Sequence, residues 1–366
     1  MVMVNQIKNC FEKEEVNVGR QSELDIAKGL AIIFMVFCHA FEILAWFFDP
    51  HISTDFAYGL LDVVLGGSFA APVFLFCMGL SFCYSRKKTP KDMLRRALNT
   101  AGIVLLFEIS RTALPGILQW VATHDPECME YVYMFFCVDI LQFATMAMLV
   151  IALFKKLNLK PYLMVVIAAV CSIAGQLLQG VTTGSEIGDV IVGFFWHSQD
   201  QSYFPLLNWL IIPVCGYVFG GVWRRLKDKE KFFRYVTPVS FGIAILYFAS
   251  MWFVGVEYYF SGGDYYGLGI IDALFAFIIC FAMIGLGYYM NKWGGRVANW
   301  LESMGNRVTS IYCIHWTILC FLYVFLFCLL GDYISQWWII PTSVVVLILS
   351  DVLSRAYKQI RRKIKS

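Results

Sequence analysis

Charge is scarce in this chain. Asp, Glu, Lys and Arg make up 15% of its 366 residues, against 59% hydrophobic. So few charges cannot cover the surface of a soluble domain of this length, which excludes an ordinary soluble fold. The chain also lacks sustained period-two alternation of apolar and polar residues, which argues against a β-barrel. It has no internal repeat, inverted or parallel, and this disfavours the repeat-built secondary transporters. Low-complexity tracts and a separate soluble domain are missing too. Among the twelve cysteines there is no CxxC and no Cys/His spacing of the zinc type, so no metal site is expected. Cys38, Cys77, Cys83, Cys137, Cys171, Cys215, Cys280, Cys313, Cys320 and Cys328 lie in or beside apolar blocks and read as small packing residues.

What the chain has in abundance is apolar sequence in blocks of about 20 residues, the length a helix needs to cross the hydrocarbon core. Mean hydropathy is +0.67. The blocks lie near 29–48, 61–84, 97–118, 132–154, 161–180, 204–222, 236–256, 268–290, 308–330 and 337–354. Loop residues break them at Asp49-Pro50, Thr89-Pro90, Asp125-Pro126, Lys160-Pro161, Gly262-Gly263 and Gly331-Asp332. The expected fold class is all-α, a polytopic membrane protein of about ten transmembrane helices. The first 25 residues are polar and of mixed charge, so no cleavable signal peptide is expected.

The loops sort by charge. One set carries Arg86-Lys87-Lys88, Lys91 and Arg95-Arg96, then Lys155-Lys156 and Lys160, then Arg224-Arg225 through Arg234, then Lys292, Arg296 and Arg307. The alternate loops, 49–60, 119–131, 181–203, 257–267 and 331–336, contain no Lys or Arg. The positive-inside rule then puts both termini in the cytoplasm. The resulting organisation is a cytoplasmic segment 1–28, a transmembrane domain 29–354 and a basic cytoplasmic tail 355–366, in a multi-pass protein of the cell membrane.

Ionisable residues inside the blocks are the candidates for function, since each costs roughly 2.5–3.5 kcal/mol to insert. His39 lies about 16 Å along the first helix from Lys28, in its outer half, with Glu42 at i+3. A histidine beside a carboxylate suits a general base, and the same pair fits a buried structural contact. Glu108 and Arg111 share a face of the third helix, while Asp139 and Gln142 reach similar depth on the fourth. Arg111 is expected to pair with Glu108 or Asp139, either to join helices or to clamp an anionic substrate. His315 lies one or two turns into the ninth helix, toward the cytoplasm. Asp62 and Asp272 sit at helix ends, where an ordinary interfacial role is sufficient. The aromatic stretches Tyr258-Tyr259-Phe260 and Trp337-Trp338 are expected as interfacial belts.

Several segments resemble a known superfamily. Asp25-Ile-Ala-Lys28-Gly29, followed by an apolar run to His39, resembles the first-helix signature of membrane acyltransferases, and Pro72-Val-Phe-Leu-Phe-Cys-Met-Gly79-Leu-Ser81 resembles their second helix. Asp139-Ile-Leu141-Gln142 and Phe204-Pro205-Leu206-Leu207-Asn208-Trp209, with Gly216 and Gly220 after it, resemble motifs of the heparan-α-glucosaminide N-acetyltransferase-like group. Met304-Gly305-Asn-Arg-Val-Thr-Ser310-Ile-Tyr312-Cys-Ile-His315 is similar to a late helix of the acyltransferase-three family. Lys28 stands where that family has Arg ten residues before its histidine, and Asn208 stands where the heparan-acetylating group has Pro.

The resemblance implies transfer of an acyl group, usually acetyl, from acyl-CoA to a carbohydrate-type acceptor outside or near the membrane. The acyltransferase-three pattern nominates His39, and the heparan-acetylating group nominates His51 in the following loop. The expected catalytic residues are therefore His39, Glu42 and His51. Arg111, Asp139 and His315 are expected to bind substrate, and Lys28 to draw the CoA phosphates. Acyl-CoA is a co-substrate, with no tightly bound cofactor expected. The partners implied are acyl-CoA, a carbohydrate or cell-envelope acceptor and the lipid bilayer, with no nucleic acid and room for a homodimer. Two other readings stay open, a proton-coupled transporter or exporter using the same polar residues as a relay, and a non-catalytic scaffold or sensor.

Overall fold

A computed structural model describes residues 2–46, 66–85, 89–126, 128–198, 202–254, 265–326 and 336–365. His51, Asp62, Arg86-Lys87-Lys88, Tyr258-Tyr259-Phe260 and Cys328 lie outside the described residues, as does the Trp337 side chain. All regular structure described is helical apart from a single antiparallel bridge, Phe11 to Leu226.

In chain order the helices are α1 (Val2–Lys8), α2 (Ser22–Phe41), α3 (Ala71–Tyr84), α4 (Pro90–Glu108), α5 (Leu114–Thr123), α6 (Cys128–Tyr133), α7 (Ile140–Lys156) and α8 (Pro161–Leu177). They continue with α9 (Glu186–Gly193), α10 (Leu206–Trp209), α11 (Ile211–Trp223), α12 (Lys229–Val254), α13 (Ile270–Trp293), α14 (Arg296–Gly305), α15 (Val308–Phe325) and α16 (Gln336–Lys365). Two five-residue π-helical turns extend the series, Glu42–Trp46 after α2 and Ile109–Ala113 between α4 and α5, and π geometry also occurs at 66–68 and at 326.

Nine helical stretches among the described residues are long and apolar enough to cross a membrane. The protein is thus an all-α, multi-pass membrane protein. The remaining block expected from sequence is α8, an apolar helix of 17 residues. Pro161 starts it at a position where a missing N–H does no harm. A turn at residues 178–180 ends it, where Gly180 takes φ +74° and donates its N–H to the His197 carbonyl. A box at Thr89 starts α4: Thr89 Oγ1 accepts the Asp92 N–H, and Asp92 accepts the Thr89 N–H in return. The basic tail is no separate coil, because α16 runs unbroken to Lys365.

The described residues form two compact units. The first comprises Met1–Ser22, Pro72–Val104 and Phe136–Tyr289. In it α3 and α11 approach through glycines. A Cβ at Gly79 would strike the Pro213 carbonyl, and one at Gly216 would strike the Phe76 carbonyl. Small residues serve membrane helices in this way because lipid supplies no hydrophobic drive for helices to associate, so close packing must supply it. The N-terminal segment docks on the basic loop of the same unit. The Glu12 N–H bonds the Arg225 carbonyl at 2.9 Å, and Val16 and Asn17 both donate to Arg224. Lys227, hydrogen-bonded to Glu12 at 2.7 Å, holds that carboxyl below its ordinary range, and the same contact raises Lys227.

The second unit comprises Glu23–Ala71, Leu105–Phe135 and Met290–Ser366. Here α14 lies along α2, since a Cβ at Gly29 would meet the Leu301 backbone and one at Gly305 the Asp25 backbone. Ile26, Ala298 and Leu301 close over that contact. Arg307, just before α15, ties it to α16 by bonding Asp351 Oδ1 at 2.5 Å, the Asp351 carbonyl at 2.9 Å and the Ser354 hydroxyl. Trp300 and Arg355 donate to the other Asp351 oxygen, so the buried carboxylate is fully engaged.

The glycine contacts make a paired prediction. Gly216→Ala forces α3 and α11 apart and should lower stability by about 1–3 kcal/mol. Gly221→Ala, five residues along the same helix with nothing within 4 Å of the added Cβ, should be neutral. Thermal unfolding of the two variants in detergent checks this.

Candidate functional site

Most of the nominated polar residues meet in the second unit. His39 comes from the last turn of α2, and Glu42 opens the π turn that follows. Glu108 ends α4, and Arg111 lies in the second π turn. Tyr312, His315 and Trp316 lie at i, i+3 and i+4 on α15 and so share a face. A π turn adds a residue to the helical circuit, which redirects the side chains beyond it, and such turns cluster at functional sites. Both flank this cluster.

His39 and His315 are the centre. Their rings stack at 12° with centroids 5.1 Å apart, and His39 Nδ1 is 2.8 Å from His315 Nε2. His315 is fully buried, and its Nδ1 is 3.0 Å from the Ile311 carbonyl. That carbonyl can only accept, so Nδ1 of His315 carries a proton. In the neutral ring Nε2 then accepts, and the His39 Nδ1–H donates to it. This chain of tautomers leaves His39 Nε2 without a proton.

Arg111 stands behind the histidines. It is 5% exposed and paired with Glu108, 2% exposed, at 3.1 Å. Its Nε and Nη2 both donate to that carboxylate. The guanidinium lies over two rings, 5.1 Å from the centre of Phe107 and 5.3 Å from that of Trp316. Trp316 in turn is 4.3 Å from the His39 ring, and Tyr312 meets both histidines edge-on. The Trp316 Nε1–H is buried and has no hydrogen-bond partner among the described residues. Ser110 and Thr317 hydroxyls, 3.1 Å apart, pin the π turn to α15.

Lys28 forms an ion pair with Asp25 at 2.8 Å, several turns back along α2. Asp139 belongs to the first unit, where it caps α7 by accepting the Ile140 N–H at 2.6 Å. Arg111 pairs with Glu108, one of the two partners expected for it. His51 lies outside the described residues. Counting rise along each helix separates His39 from His315 in depth, yet they touch. Rise measures distance along one helix and does not fix how a second helix is placed against it. Trp316 carries no distinguishing pattern in the sequence, being one of eleven tryptophans.

Cys38, His39 and Glu42 present a thiol, an imidazole and a carboxylate within 4.8 Å of one another, a zinc-type donor set. His39 Nδ1 is committed to His315 and leaves only Nε2 for an ion, and the Cys38 thiol and Glu42 carboxylate both have other partners that an ion would have to displace. Elemental analysis of purified protein should accordingly find well under one zinc per chain. The ion pair gives a second prediction. Glu108→Gln leaves a buried guanidinium uncompensated and should destabilise by about 3–5 kcal/mol, while adding Arg111→Met should recover a large part of the loss. Chemical or thermal unfolding of the single and double variants measures it.

The model of an acyltransferase domain, that of the transmembrane acyltransferase-3 family, matches residues 21–355. Among curated proteins, none matches the chain.

Proposed function

The chain belongs to the transmembrane acyltransferase-3 family, and from that premise we propose that it moves an acyl group, acetyl in the first instance, from acyl-CoA to a carbohydrate-type acceptor outside or beside the membrane. The observation that carries this reading is the hydrogen-bonded His39–His315 pair, with its unprotonated Nε2 beside a buried, ion-paired arginine.

In the proposed reaction His39 Nε2 removes the proton from the acceptor hydroxyl or amine. The acceptor atom attacks the thioester carbonyl carbon, and the C=O electron pair moves onto oxygen. The intermediate collapses, the C–S bond breaks, and the CoA sulfur takes the proton back from His39. His315 holds the His39 ring and its tautomer. Glu42, close to His39, supplies negative charge to the imidazolium as it forms. In the same proposal Arg111 and Asp139 serve the substrate region, and Lys28 with the basic loops attracts the CoA phosphates.

We place both termini and the basic loops in the cytoplasm and count α8 as a tenth crossing. The docking of residues 12–17 on Arg224 and Arg225 supports putting the N-terminal segment and that loop on one side. The freedom of the alternate loops from Lys and Arg supports the other half of the assignment.

The test uses purified full-length protein with labelled acetyl-CoA and a panel of carbohydrate acceptors. Covalent transfer is expected, with His39→Ala reducing kcat by roughly 100-fold or more. His51→Ala run beside it decides between the two histidines. Acceptor flux in proteoliposomes without any acylated product, and no binding of CoA, would instead identify a transporter.

A further inference from the structure

We infer that the Trp316 indole N–H is an oxyanion donor, a hydrogen bond held ready for the oxygen of the acyl carbonyl. The inference rests on the acyl-transfer reading above and adds to it the group that meets the negative charge.

Acyl transfer needs two things at one point. A base must take the proton from the acceptor, and a donor must meet the charge that grows on the carbonyl oxygen. Donors positioned in advance for that oxygen account for a large share of the rate in acyl-transfer enzymes. His39 with His315 supplies the first requirement. Neither ring supplies the second, because the His39 Nδ1–H goes to His315 and the His315 Nδ1–H goes to the Ile311 carbonyl.

Trp316 follows His315 directly in the chain, and its ring centre is 4.3 Å from that of His39. Its Nε1–H is buried with no hydrogen-bond partner among the described residues. Leaving such a donor unbonded is unfavourable, and interiors avoid it unless something else meets the group. Within membrane-spanning helices there is no bulk water to take that role. The indole is a donor only, so what completes it must be an acceptor. A thioester carbonyl oxygen is an acceptor and becomes a stronger one as it turns into an oxyanion. The Arg111 guanidinium, 5.3 Å from the same ring, adds positive field at the place where the charge develops.

In the step itself the acceptor oxygen or nitrogen bonds to the carbonyl carbon and its proton goes to His39. The π pair of the C=O moves to the oxygen, which the Trp316 N–H then holds. Collapse returns the pair, breaks the C–S bond and releases CoA, whose sulfur takes the proton from His39. The indole N–H is unchanged throughout.

The test separates catalysis from packing by stability. Trp316→Phe keeps an aromatic ring in the stack and removes only the N–H and part of the ring. It should lower kcat by about 100-fold or more while leaving KM for acetyl-CoA within about threefold. Its thermal midpoint should hold or rise, because an unsatisfied buried donor has gone. Replacing Trp316 with benzothienylalanine, which keeps the bicyclic shape and has sulfur for N–H, should give the same loss of kcat even if the Phe variant folds poorly. Full kcat in the benzothienyl protein would overturn the inference, as would a fall in activity that merely follows a fall in folded protein. Wild-type turnover and an inactive His39→Ala, measured alongside, show whether the acyl-transfer reading itself stands. A wild type without acyl-CoA turnover defeats that reading first, and this inference with it.

Discussion

Arg111 and Glu108 are an ion pair with almost no contact with solvent, and the second unit is arranged to make that tolerable. A lone guanidinium in hydrocarbon would be strongly unfavourable. Here the carboxylate one turn earlier neutralises it, and the Phe107 and Trp316 rings both lie against it. Placing Trp316 brings the face of α15 that also carries His315 and Tyr312. His315 then meets His39 on α2. The ion pair, the aromatic contacts and the histidine contact thus depend on one another, and three helical segments are joined by the need to satisfy a single cation.

The motifs that recur along the chain divide by physical role. Gly29 and Gly305 let α2 and α14 touch backbone to backbone, and Gly79 and Gly216 do the same for α3 and α11. Asp139 caps a helix. Arg307 closes a buried network with Asp351 and Ser354. These positions build and hold the bundle. His39, Glu42, Arg111, His315 and Trp316 form a second group, the one to which the proposed chemistry is assigned. The two π turns lie among the second group, where helix geometry is bent to bring side chains together.

Much of the fold was legible in advance because the bilayer imposes one length and one chemistry on every crossing. Apolar blocks of about 20 residues mark helices whatever their neighbours are. The ends were less legible. α4 starts at Pro90 because a Thr89–Asp92 box caps it there, well before the apolar block begins at 97. The candidate site was half legible. His39, Glu42, Arg111 and His315 stand out because ionisable residues in apolar helices are rare. Asp139 stood out for the same reason, and its carboxylate also accepts the Ile140 N–H at the start of α7.

The sequence by itself determined that this is a helical membrane protein, roughly where its crossings lie, and which ionisable groups they carry. It could do so because hydrophobicity and charge are local properties, readable one segment at a time. Only the tertiary structure decided that His39 meets His315, that Arg111 pairs with Glu108, and that the Trp316 N–H is buried with no hydrogen-bond partner among the described residues. Those facts depend on how separate helices pack, which no local property of one segment carries. His39 and His315 stand 276 positions apart in the chain and are hydrogen-bonded.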